Sequence, residues 1–150
     1  MRADPVNYRE FTDAVKGLVS VLVSQIRNEK GILPMIHFNV DGRVHGVGLD
    51  PAFFAPGVDR MVLLDHALLP YIEIMRPQSV AWTFAAWNHG EGGMYEHEMA
   101  VACVIDRERA EVWQARLVRH DGVASHGAWR AWPVGEAIGP LITPIQEALL

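Results

Sequence analysis

Apolar side chains at Phe11, Val15, Leu18, Leu22 and Ile26 recur at steps of four and three, the spacing that lines them along one face of a helix. Asp4 offers an N-cap ahead of Pro5, whose missing N–H is harmless in a first helical turn, and Gly31 offers a stop. The pattern predicts a helix over about residues 5–29. Val19, Val21 and Val23 broaden its apolar stripe enough for two faces to be covered. A second helical spacing, Met61, Leu64, Leu68, Tyr71, Ile72 and Met75, follows Asp59 as cap and predicts a helix over about residues 59–75. Pro70 falls inside it and removes a backbone donor, so a kink or break is expected near residues 65–69.

Between these helices the period changes to two. Met35–Val40 and Arg43–Leu49 flank Asp41-Gly42, a dipeptide suited to the positive φ angles of a type I′ turn. The hairpin this predicts sets Val40 opposite Arg43, Phe38 opposite His45 and Ile36 opposite Val47. His37 then belongs to the other surface from His45, and the two cannot share a ligand. Beyond Pro77, extended segments are expected at residues 80–87, 96–105, 111–120 and 124–132, with connections short enough for an antiparallel meander. The first of these is small or apolar on both faces, as a central strand is, while Trp113, Ala115 and Leu117 alternate inward against Gln114 and Arg116. Thr143-Pro144-Ile145-Gln146 combines a cap, a first-turn proline and a capping-box glutamine, and predicts a short last helix from about residue 144.

These elements predict one α+β domain over residues 1–150: an antiparallel β-meander plus an N-terminal β-hairpin, with helices packed on one face, in the order α-β-β-α-β-β-β-β-α. A chain of 150 residues supports a single core, burying roughly 68–70% of its unfolded surface. With 50% hydrophobic and 21% charged residues the composition is that of a packed chain rather than a disordered one. Thirteen basic against eighteen acidic side chains give a formal charge of −5, so no global field favours nucleic acid or anionic lipid. No apolar run reaches the span of a membrane helix, and Met1–Pro5 lacks the apolar region of a secretory signal, so a soluble, cytoplasmic protein is expected. Cys103 stands alone inside the apolar run Met99–Ile105, which excludes an internal disulfide and reads as a buried thiol.

The richest collection of metal-ligand chemistry is the glycine-rich segment after the first meander strand. His89, Glu91 and His97, with Glu96 and Glu98, supply imidazole and carboxylate within ten positions, a set that suits a divalent metal such as zinc or manganese. Alternation along a strand separates Glu96 and Glu98 from His97, so the full set cannot hold one ion, and the segment also reads as a solvated hairpin loop. Asp65 and His66 are neighbours on a helix and point about 100° apart. His120 and His126 flank Asp121-Gly122 with Arg116, Arg119 and Arg130 close in sequence, the makings of a small anion site or of an ordinary wet sheet face. The run Gly90-Glu91-Gly92-Gly93 lacks the following helix and lysine of a phosphate loop, and none of Ser20, Ser24, Ser79 and Ser125 lies in a G-x-S-x-G turn.

Five tryptophans, Trp82, Trp87, Trp113, Trp129 and Trp132, crowd the meander, more than a small core need hold. Trp87 and Trp132 at its margins, with Arg116 and Arg130, compose a candidate binding surface, because tryptophan and arginine are enriched at interfaces. The function these residues support is a non-catalytic binding or assembly module that self-associates as a homodimer and has room for a further protein partner. The alternatives are a metal-dependent enzyme using His89–Glu98 and a carrier with an aromatic pocket.

Overall fold

The structure, a computed structural model, describes residues 7–26, 31–54, 57–89, 96–135 and 138–150, with the backbone alone at 51, 54, 60, 87–89, 96 and 97. It is the α+β fold with an antiparallel sheet that the pattern predicts. Helix α1 runs Tyr8–Ser24, and Asn7 caps it, its side-chain oxygen accepting from the Glu10 N–H at 2.8 Å. Asp4, the expected cap, lies outside the described residues, and the helix closes at Ser24, well before Gly31.

Strands β1 (Met35–Val40) and β2 (Arg43–Gly48) pair in the expected register, Phe38 opposite His45 and Ile36 opposite Val47. The turn has φ of 49° at Asp41 and 82° at Gly42, so both central residues take the positive φ of a type I′ turn. Next come a short 3-10 turn, Pro51–Phe54, and a helical run made of α2 (Arg60–Leu63), a π turn (Leu64–Leu68) and α3 (Leu69–Met75). Asp59 caps the run, accepting from the Met61 N–H at 2.9 Å. The irregularity expected before Pro70 takes the form of that π turn: the Leu69 N–H reaches back five residues to the Leu64 carbonyl, which widens the helix where the proline ring needs room. Arg76 ends the run in a left-handed conformation, its N–H on the Ile72 carbonyl at 2.8 Å.

The meander comprises β3 (Ser79–His89), β4 (Glu96–Asp106), β5 (Ala110–His120), β6 (Val123–His126) and β7 (Arg130–Trp132). The sheet order is β2-β1-β3-β4-β5-β6, with β7 also on β5, so β3 is interior as expected. The single strand expected over 124–132 is split. Leu117 pairs with His126 and Gln114 with Arg130, which leaves two residues between the pairs on β5 and three on the other side. That extra residue is a β-bulge at Gly127–Trp129, and it reverses which residues face which side between β6 and β7.

The last helix, α4 (Gly139–Ala148), begins five residues earlier than the capping motif predicts. Pro140 occupies its first turn and Pro144 its interior, so the second proline forfeits one helical hydrogen bond, which the burial of Leu141 and Ile145 offsets.

The helices do not share one face, contrary to the expectation. Ile36, Trp82, Cys103 and Val112 form one row across the sheet and pack with Leu63, Leu64, Leu68, Ile72, Leu141 and Ile145 of α2, the π turn, α3 and α4. The alternate residues Ala81, Ala100, Ala102 and Val104 pack under Tyr8, Phe11, Val15, Val19 and Val23 of α1. The strands are apolar on both faces, so each face needs a cover, and the broad stripe on α1 supplies the second.

Candidate functional site

Helices α2 to α4 leave the outer part of the Trp82 face open. There β5, β6 and β7 expose Arg116, Val118 at 48%, Val123 at 52%, Arg130 and Trp132 at 44%. The register explains the grouping: Met99 stands opposite Arg116 and Gln114 opposite Arg130, so four side chains of adjacent strands meet on one surface. Trp132 and Arg130 reach it because the bulge turns β7 over relative to β6. The result is a cleft of about 330 Å³ lined by Met99, Gln114, Arg116, Arg130 and Trp132, with the bulge residues at its rim. Its floor holds a buried acceptor without a partner, Gln114 Oε1. Among the described residues no carboxylate lines it and neither arginine has an ion pair.

Of the predicted binding surface, Arg116, Arg130 and Trp132 are therefore brought together, while the Trp87 side chain lies outside the described residues. Gln114 and Met99 were missed by sequence reasoning. Their signal is positional, as the cross-strand partners of the two arginines, and becomes readable only once the register is known. The candidate metal ligands lie outside the described residues: Glu91 entirely, and His89 and His97 as side chains. The backbone ladder pairs His89 with Glu96 and Asn88 with His97. Among the described residues no group of three His, Cys, Asp or Glu side chains is placed to hold a metal ion. Cys103 is buried in the core and forms no disulfide.

The anion site imagined around Asp121-Gly122 is dispersed. His120 is exposed beside Asp121, with 3.3 Å between Nε2 and the carboxylate. Arg119 turns to the α1 face and donates to both Glu98 carboxylate oxygens from Nε and Nη2, at 3.0 and 2.8 Å. His126 turns to α1 as well, where its Nε2 meets Ser20 Oγ at 2.6 Å. Asp65 and His66 are exposed on the π turn and form no pair.

Two larger depressions, each about 750 Å³, are less suited to recognition. One, between α1 and β5, has two of its three cations on aromatic rings: Lys16 Nζ sits 3.5 Å above the Trp113 ring, and the Arg109 guanidinium lies 4.4 Å from the Tyr8 ring. Burial lowers the Lys16 pKa there, while burial and then the nearby Glu111 carboxylate raise that of Tyr8. The other, between α3 and α4, mixes Arg76 and Arg107 with Glu73 around exposed aliphatic carbon.

Inside the molecule, His37, Asn39, Ser79 and Thr83 form a buried polar group on the α1 side of the sheet. His37 Nε2 bonds Thr83 Oγ1 at 3.0 Å and its Nδ1 has no partner. Desolvation pushes the His37 pKa down to about 4. Among the described residues no helix is long and apolar enough to cross a membrane. No family model matches this chain, and neither does any curated protein or solved structure.

Proposed function

We propose that the chain is a binding module whose recognition surface is the open end of the Trp82 face, and that its partner there is an acidic protein segment. The observation that carries this reading is the cleft itself: two arginines on neighbouring strands with no ion pair among the described residues, an exposed tryptophan and a buried amide oxygen with no hydrogen-bond donor there. Like charges on adjacent strands repel, so the pair is held at a cost that an anionic partner removes. An extended peptide matches the exposed groups, with carboxylates for Arg116 and Arg130 and an apolar side chain for Trp132.

The test is titration of a fluorescein-labelled peptide rich in glutamate, with one aromatic residue, followed by anisotropy. Removing both guanidinium groups in R116A/R130A should weaken binding by roughly tenfold or more, since charged hydrogen bonds are worth about 1.5–3 kcal/mol each. Added salt should weaken the wild type more than the variant. Equal affinities for the two proteins at every salt concentration would end the proposal.

Self-association is a second reading, favoured by Leu18 and Val21, which stand 41% and 53% exposed on α1. A two-fold dimer built near its axis on the arginine cleft would face cation against cation, so the homodimer is assigned to α1 instead. Sedimentation of wild type and of L18E/V21E distinguishes a dimer from a monomer on this surface.

A further inference from the structure

A second chemical feature joins β6 to α1, away from the cleft. His126 Nδ1 lies 2.7 Å from the carbonyl oxygen of Gly127, an atom that only accepts, so the hydrogen of this contact belongs to Nδ1. In a neutral imidazole the lone pair then sits on Nε2, which is 2.6 Å from Ser20 Oγ. The serine hydroxyl can donate into it. Ser20 Oγ also donates to the Lys16 carbonyl one turn earlier at 3.0 Å, whose second lone pair accepts beside the Ser20 backbone N–H, so the one hydroxyl hydrogen is shared between this carbonyl and Nε2, the shorter contact. A hydroxyl on an imidazole whose other nitrogen is fixed by an acceptor is the arrangement that activates a serine.

Both side chains are partly exposed, so a reagent reaches them. The Trp129 ring stands 5.5 Å from the imidazole and supplies an apolar wall. Among the described residues the neighbouring charges are engaged, Arg119 on Glu98 at 2.8 Å and Lys16 over the Trp113 ring, so an uncharged acyl group suits the site better than an ionised one.

We propose that Ser20 is a base-activated nucleophile that takes small, uncharged acyl groups from activated esters, with His126 as its base and the Gly127 carbonyl as the group that positions it. Ser20 Oγ bonds to the ester carbonyl carbon while its proton passes to His126 Nε2. The bond to the leaving oxygen then breaks, and the imidazolium returns the proton to that oxygen. The products are acyl-Ser20 and the free alcohol, and no atom changes oxidation state. Water deprotonated by the same nitrogen can later hydrolyse the acyl-serine.

The experiment uses the full chain and 4-nitrophenyl acetate, with the acetylated positions located by peptide mass spectrometry and esters told from lysine amides by their lability to hydroxylamine. Ser125, exposed one residue before His126, serves as the internal control. Ser20 should acetylate on the order of 10²-fold faster than Ser125, the scale of general-base assistance. His126→Gln should bring Ser20 down to the Ser125 rate, and Ser20→Ala should abolish the fast release of nitrophenolate. The comparison of the two serines in the wild type needs no variant, so a folding defect in either mutant leaves it intact. Equal rates at Ser20 and Ser125 would overturn the proposal. So would unchanged nitrophenolate release from Ser20→Ala with the acetyl group on His126, because the imidazole would then be the nucleophile.

Discussion

On the face that carries Trp82, strands and helices both bring bulk: Phe38, Trp82 and Ile105 from the sheet against Leu64, Leu68, Ile72 and Ile145 from the helices. On the opposite face the strands bring mainly alanines, Ala81, Ala100, Ala102, Ala115 and Ala124, with Trp113 and Leu117 toward the β5 side, and α1 brings most of the large side chains. A helix lying on alanines rests closer to the backbone than one held off by aromatic rings. That closeness is what lets a side chain as short as Ser20 touch a sheet residue, and what lets Tyr8 donate to the Val104 carbonyl at 3.0 Å. It also encloses polar groups, since His37, Asn39, Ser79 and Thr83 are all buried on that side. The crowded face is closed by dispersion and apolar burial, the close face by shape and a few polar contacts, and the two should fail under different insults.

The sharpest contrast is the response to lost bulk. Trp82→Ala should cost about 3–5 kcal/mol, the range for an aromatic side chain removed from a core, and urea denaturation reads it directly. Trp82 is 1% exposed and Phe11 0%, so Phe11→Ala should fall in the same range. A much smaller loss for Phe11→Ala would mean that α1 settles into the space and that its face is the softer one.

Acid should attack only the α1 side. The unfolded chain protonates His37 near the ordinary 6.5, while the folded chain resists until about 4, so the unfolded state binds the extra proton in between. Stability is therefore complete above pH 6.5, declines as the pH falls toward 4, and receives no further change from this residue below that. The full decline is about 3 kcal/mol, at 1.36 kcal/mol per pKa unit. The denaturant midpoint of His37→Gln should lack this part of the acid slope. An identical slope in both proteins would remove His37 as its source.

Added bulk reverses the roles of the two faces. Ala102→Leu should cost about 1–3 kcal/mol, because a rigid helix backbone lies over that position. Cys103→Val, next to it in sequence but on the crowded face, should stay below about 1.5 kcal/mol as a near-isosteric change. Equal costs would show that α1 tilts away freely.

The smallest effect tests the turn that assigns the residues of β1 to their faces. Gly42 has φ of 82°, where a β-branched side chain is strained. Gly42→Val should cost about 1–2 kcal/mol and Gly42→Asn markedly less. If the two unfold at the same midpoint, the turn does not hold the register that separates His37 from His45.

Local chemistry was readable wherever it acts over a few residues. Asp41-Gly42 carries its turn, Asp59 its cap and Pro70 its irregularity, and the alternation of Trp113, Ala115 and Leu117 foretold a face covered by a helix. At the candidate surface Arg116, Arg130 and Trp132 could be named from composition and place in the chain, but their convergence could not. It depends on one extra residue at Gly127–Trp129, for which Gly127 inside the strand pattern is a local hint but not one that fixes the new register. Pro144 misled as a helix start because a capping motif is local, whereas the burial of Leu141 and Ile145 is not.

By itself the sequence determined the α+β class, the type and order of the elements as far as β5 and the register of the first hairpin, because periodicity, caps and turn dipeptides act through the nearest turns of backbone. Only the tertiary structure decided which face α1 covers, how the last strands break, and that Ser20 meets His126 across 106 positions of chain. Those outcomes rest on packing between segments distant in sequence. An alanine that admits a helix and an alanine that simply fills a strand are the same letter until the neighbour arrives.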